Sequence, residues 1–589
     1  MMSAAVASSA IGASRGALSQ PSRGGQASSL AGLGSMLRFR LRYNWFRLMI
    51  WTILTVGMTT FVAAYYAHLA QTSSDFATQF EGLLSNPSML AMLGSISAIG
   101  TADAPLGALV WMKLWMFTVL MLGIGMVFLV THNMRADEDE DRTELFRSRP
   151  LGLHSSMMAT VLMTMLFCLV VGVLIALIGY GLNLHIGTQQ NTEFATLGNW
   201  VFGLSITVVG WLGIGIGVLF NELAPTSSSA NTYGTATFGL FYLIRMAADM
   251  QATTADDGSI VSSPAIWASP IGWAQKMDPW GDNLLWPVVA TLGVVLVCVL
   301  ISWLIANRRD YSGALIPQRL GKANAGRGMT SVWGLAIRLQ RASFISWAVG
   351  VVVFGLIFGT VVKQFADMIE GLGLGGLAAM GTDPMMVVVA IFCCFMALAT
   401  CAFTIQSAST LYLDDSHGLL EVQLAGGVSR WSWALQRLLV TVLGTVLLLF
   451  LGGLTFGVST AAVLDNDWSY VGTILGAIFI HFPSMMVFMG IVVFCFGFFP
   501  RLSIPLGWIA EGGAWFAMIV LMTMEIPQSV IRFIPFMNLS SFPADKMVWA
   551  MNAGDGELSW FRFFFMVGLA LVLIVGGLIS FRRRNVPSN

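Results

Sequence analysis

The stretch MMATVLMTMLFCLVVGVLIALIGYGL, residues 157–182, contains no charged side chain and is long enough to cross a bilayer as one helix. Its apolar residues run continuously instead of alternating with polar ones, which favours an α-helix over a strand of a membrane barrel. The predicted spans lie near residues 47–66, 110–131, 157–182, 200–220, 234–250, 285–306, 344–364, 385–408, 433–463, 470–498, 504–524 and 560–581. The sequence therefore predicts an all-α integral membrane protein with about 12 transmembrane helices.

The composition excludes a soluble protein. Hydrophobic residues make up 56% of the 589 residues, charged residues make up 10%, and the mean hydropathy is +0.77. This leaves too little polar surface to keep the chain in water. Membrane lipids are therefore expected partners, and no nucleic-acid partner is expected.

The basic residues are distributed unevenly over the predicted loops. If the N-terminus is cytoplasmic, most of the 30 Lys and Arg residues fall on the inner side. The predicted outer loops that contain neither residue are 67–109, 183–199, 367–384 and 464–469. The positive-inside rule therefore predicts cytoplasmic N- and C-termini, as an even number of spans requires.

Residues that could act in catalysis or bind a metal are not spaced as in known catalytic or metal sites. The six cysteines fall within predicted spans, and the six histidines have no metal-ligand spacing. A phosphate-binding loop is absent, because Gly321-Lys322 lacks both the upstream glycine and the hydroxyl residue after the lysine. We therefore expect no metal site, no catalytic residue and no cofactor bound by this chain, which is not predicted to be an enzyme.

The second half of the sequence resembles the first. Basic segments precede the first and seventh spans at residues 37–42 and 337–341, and basic stops follow the sixth and last spans. DRTEL at 141–145 occupies the same place as GLLEV at 418–422, after the second span of each half. The sequence therefore predicts two parallel six-helix repeats. The predicted domains are a disordered cytoplasmic tail at 1–35, a first half at 36–306, a cytoplasmic linker at 307–336 and a second half at 337–585.

This arrangement resembles the ABC-2 type permeases of ATP-binding cassette (ABC) transporters, in the fused two-half form found among exporters of polyketide antibiotics and other drugs. The resemblance covers roughly residues 37–585. It is carried by the paired segments above, together with LAPT at 223–226, SPIGW at 269–273 and NRRDYSGAL at 307–315. It implies a type V exporter-like fold and a multidrug or antibiotic efflux permease in a bacterial plasma membrane.

The resemblance also implies a separate motor. Such permeases pair with two copies of a cytosolic ABC ATPase subunit, which binds ATP and Mg, and they move hydrophobic or amphiphilic small molecules outward. The ATPase docks on the short helix between the second and third spans, which carries over to residues 137–154 and 414–431. The implied coupling residues are Asp141, Arg142, Glu144, Pro150, Glu421, Gly427, Ser429 and Arg430.

The first of these segments contains an acidic run at residues 137–141. Two interpretations stay open: the acids bind basic residues of a protein partner, or they solvate a loop and offset nearby arginines. Those arginines are Arg135, Arg142, Arg147 and Arg149. The second segment keeps the family pattern better, because Gly152 and Leu153 replace a Ser-Arg pair in the first.

Four polar side chains within predicted spans are candidates for a substrate path. Lys113 and Arg245 lie near the outer ends of their spans, so we expect them to extend their charges to the interface rather than contact substrate. His481 and Glu511 lie deeper, where an ionised group is costly unless it is paired or hydrated. For these two a structural hydrogen bond is favoured over substrate contact.

Two other functions compete with an ATP-driven exporter. A proton-coupled secondary multidrug transporter of 12 helices has the same span count, but its second loop is usually rich in glycine and its coupling needs several buried acids. Here that loop has no glycine before Pro150, and deep acids are scarce. A membrane enzyme such as a lipid-modifying transferase lacks support, because the outer loops contain no acid pair or nucleophile constellation.

Overall fold

A computed structural model describes most of the chain. The described residues are 29–72, 93–94, 96–100, 103–143, 151–188, 192–255, 259–309, 313–316, 324, 326, 331–371, 384–523 and 560–584. The chain divides into two compact units, with the boundary between Arg319 and Leu320. The domain boundaries expected from the sequence stay predictions.

The first unit is built from helices of very different length. They are α1 (Leu33–Thr52), α2 (Met58–Thr72), α3 (Leu106–Val110), α4 (Met116–Asn133), α5 (Arg135–Asp139), α6 (Ser155–Gly181), α7 (Leu197–Leu223), α8 (Ser227–Asp249), α9 (Pro270–Gln275) and α10 (Trp286–Ala306). Wider π-helical turns at Ile53–Gly57 and Trp111–Trp115 join α1 to α2 and α3 to α4. A short antiparallel pair, β1 (Thr253–Thr254) and β2 (Ile260–Val261), follows α8.

The second unit repeats the alternation of long and short helices. They are α11 (Val332–Gly371), α12 (Pro384–Ala408), α13 (Thr410–Ser416), α14 (Leu419–Ala425), α15 (Arg430–Val463), α16 (Ser469–Phe479), α17 (Phe482–Phe498), α18 (Ser503–Thr523) and α19 (Trp560–Arg583). The break between α16 and α17 falls at Ile480 and His481, just before Pro483 in the first turn of α17.

Ten helices of the described part are long and apolar enough to cross a membrane. They are Leu33–His68, Leu106–Asp139, Ser155–Gly181, Leu197–Leu223, Trp286–Ala306, Trp333–Lys363, Val388–Ser416, Arg430–Val463, Ser469–Phe498 and Phe563–Arg583. The chain is thus an all-α, multi-pass membrane protein, as predicted. The spans predicted at 234–250 and 504–524 lie on α8 and α18, which are not among these ten. The count of twelve, the two repeats and the side of the termini stay predictions.

Glycine lets the helices of the first unit pack with their backbones in contact. A Cβ atom on Gly203 of α7 would lie 2.1 Å from the carbonyl oxygen of Gly172 in α6, and one on Gly213 would lie 2.2 Å from that of Gly123 in α4. Small residues allow such close approach between membrane helices. The central helix α7 is therefore held firmly between α4 and α6.

Candidate functional site

The first group of charged side chains lies where α1, α4 and α6 meet. Arg40 of α1 is only 1% exposed. Its guanidinium donates to Asp137 Oδ2 at 2.6 Å, to the carbonyl oxygen of Asn133 at 2.7 Å and to Ser156 Oγ at 2.9 Å. One side chain thus joins the start of the first span, the end of the second and the start of the third.

A second set of contacts joins α5 to the last helix of this unit. Arg309, just after α10, forms ion pairs with Glu138 of α5 and, at 3.2 Å, with Glu222 at the end of α7. Arg135 pairs with Glu138 at 3.1 Å and donates to the carbonyl oxygen of Pro225 at 2.6 Å. We call Arg40, Arg135, Asp137, Glu138, Glu222 and Arg309 the first ionic cluster.

These contacts bear on the acidic run. Asp137 and Glu138 are turned into the protein and bind arginines of other helices. Asp139 is exposed, but it pairs with Arg135 at 3.3 Å and accepts a hydrogen bond from the Ser227 amide at 2.7 Å. For these three acids the geometry favours the second interpretation, in which arginines of the same chain offset their charges. Two of those arginines, Arg40 and Arg309, were not among the ones named from the sequence. A docking role for the run stays a prediction.

A comparable group occupies the second unit. Arg437 of α15 forms an ion pair with Asp414 of α13 and donates to Gln423 Oε1 at 3.1 Å. Arg584, just after α19, forms an ion pair with Asp415 and donates to the carbonyl oxygen of Phe496 at 2.8 Å. We call Asp414, Asp415, Gln423, Arg437 and Arg584 the second ionic cluster.

One contact is common to both clusters. The acid that follows the second span of each unit binds the arginine that follows its last helix: Glu138 binds Arg309, and Asp415 binds Arg584. The alignment that matches 141–145 with 418–422 also matches Glu138 with Asp415. The sequence interpretation treated these arginines only as basic stops. One feature of the sequence could have predicted these pairs. The two acids are separated by nearly the same number of residues as the two arginines.

Of the predicted coupling residues of the first unit, Asp141 and Arg142 are among the described residues. Arg142 pairs with Asp137 at 3.4 Å and with Glu140, while Asp141 has a left-handed backbone with φ of 56°. Glu144 and Pro150 lie outside the described residues.

In the second unit, Glu421 is exposed in the first turn of α14. Gly427 has φ of 80°, which favours glycine, and Ser429 Oγ caps α15 by accepting a hydrogen bond from the Ser432 amide at 3.1 Å. Arg430 donates to the carbonyl oxygen of Arg584 at 2.6 Å, which connects the predicted docking segment to the second ionic cluster.

Arg245 does not reach the membrane interface as expected. Its side chain is fully buried and forms an ion pair with Asp249 at 2.9 Å. Gln275 of α9 accepts a hydrogen bond from Arg245 at 3.2 Å and donates one to Asp249 at 3.0 Å. The snorkelling interpretation of Arg245 is therefore wrong, because the charge is compensated inside the protein. Lys113 is half-buried in the π-helical turn, where the rings of Trp111 and Trp115 stack 4.1 Å apart.

The two deep polar residues, His481 and Glu511, belong to different helices, and the structural hydrogen bond favoured for them stays a prediction. His481 is the residue immediately before α17, and Glu511 lies within α18. The polar groups beside the buried Glu511 carboxyl group are the Cys401 thiol and the Trp515 indole. Among the described residues, no group of three or more His, Cys, Asp or Glu side chains is arranged to hold a metal ion.

Comparison with known proteins identifies the class. Residues 329–582 match the family model of the C-terminal domain of the multidrug efflux system permease Rv1217c. The chain is also 24% identical over 576 residues, 96% of its length, to the multidrug efflux system permease protein Rv1217c of Mycobacterium tuberculosis (strain ATCC 25618 / H37Rv), of which it covers 97%. The resemblance to exporter permeases found in the sequence is thereby confirmed, and the chain is a transporter permease similar over almost its whole length to a multidrug efflux permease.

Proposed function

We propose that this chain is the transmembrane permease subunit of an ABC-2 type ABC exporter in a bacterial plasma membrane. It moves hydrophobic or amphiphilic, drug-like or antibiotic-like compounds out of the cell through two parallel repeats. ATP is hydrolysed on two copies of a separate cytosolic ATPase subunit, which bind ATP and Mg. The similarity to a multidrug efflux permease over 96% of the chain supports the cargo class.

The observation that carries the proposal is the ion pair repeated in both units. A soluble motor pushes on the segment after the second span, so the force needs a stiff connection to the other helices. Charge-assisted hydrogen bonds in partly buried positions are short and directional, and they provide that stiffness. Glu138–Arg309 and Asp415–Arg584 connect this segment to the last helix of each unit.

The second unit also offers a surface for the motor. On α14 the charged Glu421 stands beside two exposed apolar side chains, Leu419 at 48% and Val422 at 73% exposure. Apolar side chains grouped with a charge at a helix end are typical of a protein contact. The motor is a separate chain in this proposal because this sequence contains no phosphate-binding loop.

A proton-coupled secondary transporter is the second candidate, and one observation favours it. Glu511 is 3% exposed and forms no ion pair with a Lys, Arg or His side chain among the described residues, and a buried acid of this kind is typical of proton relays in membrane transporters. Four other buried acids argue against this mechanism, since Asp137, Glu222, Asp249 and Asp414 are each paired with an arginine.

Co-purification tests the proposed partner. We expect the tagged chain, extracted from its native membrane in mild detergent, to bring down a P-loop ATPase at two copies per chain. ATP hydrolysis by that subunit should rise when the permease is present, because docking couples the two proteins. Quantitative mass spectrometry and phosphate release provide the measurements. Recovery of an active exporter with no ATPase in the preparation contradicts the proposal.

A further inference from the structure

Two exposed arginines contact the same tyrosine near the start of α1. Arg47 of α1 places its guanidinium over the Tyr43 ring, 5.5 Å from the ring centre, and donates a hydrogen bond to Asn44 Oδ1 at 3.4 Å. Arg142 donates a hydrogen bond to the Tyr43 hydroxyl at 3.3 Å. Tyr43 is 42% exposed, the Arg142 side chain is 38% exposed, and Arg47 is exposed as well. Two guanidinium groups and a hydroxyl group are therefore accessible from outside the helix bundle.

One positive charge remains in this group after its ion pairs are counted. Arg142 pairs with Glu140 and, at 3.4 Å, with Asp137. Asp137 is also paired with the buried Arg40. Arg47 forms no ion pair among the described residues, so three arginines face two acids. A ligand with a single negative charge would balance the group, and Arg47 is the residue that lacks an acidic partner.

Next to this group, α1 and α4 pack side by side. Tyr43, near the start of α1, stacks on His132, near the end of α4, with 6.3 Å between the ring centres. About two turns further along α1, the Trp51 ring lies against α4, where a Cβ atom on Gly125 would be only 2.5 Å from it. The two helices therefore run antiparallel, because the later contact on α1 is the earlier one on α4.

Exposed apolar side chains lie on one side of this helix contact. On α1, Ile50 is 41% exposed and follows Arg47 by three residues. On α4, Phe128 is 44% exposed and precedes His132 by four residues, and Phe117, 57% exposed, continues the same row. Residues at these spacings share a helix face. An apolar strip therefore extends along both helices from the polar group.

The polar group lies at the level of the lipid headgroups. The continuous helix from Leu33 to His68 is 36 residues long, whereas about 20 residues cross the hydrocarbon layer. The span predicted from the sequence begins at Arg47, and three more arginines precede it on α1. Ile50 and Phe128 then lie at the level of the acyl chains. A phospholipid places its phosphate and its acyl chains at these same two levels.

We propose that Tyr43, Arg47 and Arg142 form a binding site for the phosphate of an anionic phospholipid, with an acyl chain against Ile50 and Phe128. Guanidinium groups bind phosphate oxygens through short, charge-assisted hydrogen bonds. The Tyr43 hydroxyl accepts a hydrogen bond from Arg142 and has its own hydrogen to donate to a phosphate oxygen. The remaining positive charge favours a headgroup such as phosphatidylglycerol over phosphatidylcholine, whose quaternary amine brings a second cation.

Native mass spectrometry of the purified full chain in detergent, without ATPase, tests this site. The probes are dioleoyl phosphatidylglycerol and dioleoyl phosphatidylcholine, which share acyl chains and differ in net charge. We expect the wild-type chain to retain phosphatidylglycerol in preference. Arg47→Gln should lose a tightly bound phosphatidylglycerol molecule, whose affinity falls by about tenfold or more, and should bind phosphatidylcholine as wild type does. Tyr43→Phe keeps the ring and removes the hydroxyl, so it should weaken phosphatidylglycerol binding several-fold.

The controls separate this site from general attraction between basic residues and anionic lipid. Arg42→Gln removes the same charge from an exposed position about 140° around α1 from Arg47 and should retain the bound phosphatidylglycerol. Melting temperatures should equal that of wild type, because the substituted side chains are exposed. Glycerol 3-phosphate has the phosphate without acyl chains and should not displace the lipid, because the apolar strip is part of the site.

Four results overturn the proposal. They are no preference of the wild-type chain for phosphatidylglycerol, equal retention by wild type and Arg47→Gln, equal losses in Arg42→Gln and Arg47→Gln, and displacement of the lipid by glycerol 3-phosphate. Since no ATPase is present, these outcomes are independent of the co-purification result.

Discussion

Replacing Arg309 and Arg584 together by glutamine is expected to reduce export to background. Glu138 then loses one of its two arginine partners, and Asp415 loses its one cationic partner among the described residues. Breaking a buried ion pair costs roughly 3–5 kcal/mol, and less when the side chains stay partly exposed, as these are at 11–18%. The ion pairs between the docking segment and the last helix are therefore lost in both units, while the hydrogen bond from Arg430 to the Arg584 carbonyl oxygen remains.

The reverse arrangement of charges provides the matched control. Arg584 forms one ion pair among the described residues, so the exchange Asp415→Arg with Arg584→Asp recreates a pair at the same place. We expect this double exchange to recover part of the export that either single change removes. Vesicle transport assays and thermal melting measure the two effects separately. Wild-type export by the double glutamine variant would refute a role for these ion pairs in coupling.

The double variant Glu144→Lys with Glu421→Lys should keep expression and folding but lose coupling between ATP hydrolysis and export. Glu421 is exposed at the start of α14, so its reversal costs little folding free energy. A reversed charge in a docking surface brings like charges together and weakens the complex. We expect the affinity for the ATPase to fall by about tenfold or more, as is typical when an interface charge pair is reversed. ATPase affinity by pull-down and the ratio of ATP hydrolysed to compound exported provide the measurements.

The exposed Glu193 offers a control for this experiment, because Glu193→Lys makes the same charge change in a loop predicted to lie outside. We expect that variant to export normally. Normal export by the Glu144→Lys, Glu421→Lys variant would remove the docking assignment from both segments.

The fold class could be predicted because the apolar length of a span is a local property. The stretch at 157–182 corresponds to the helix Ser155–Gly181, and that at 433–463 to Arg430–Val463. Apolar length does not predict where a helix begins when its first residues are polar. The span predicted from residue 234 begins at Ser227, where Thr226 and Ser229 form a capping box.

The side-chain partners could not be predicted in the same way. An arginine near the end of an apolar run gives the same pattern whether it reaches the interface or pairs within the protein. For Arg245 the missed local signal is Asp249, four residues later, while Gln275 comes from a separate helix. The ion pairs of Arg309 and Arg584 depend on which helix ends meet, and only the repeated spacing of acid and arginine hints at them.

Transport into inside-out membrane vesicles that contain the permease and its ATPase tests the central claim most directly. The readout is accumulation of a fluorescent hydrophobic compound under two conditions: ATP with the proton gradient collapsed by an uncoupler, and a proton gradient with ATP exhausted. An ABC exporter accumulates the compound in the first condition and not in the second. Accumulation that continues on the proton gradient alone would contradict the account and favour the secondary transporter.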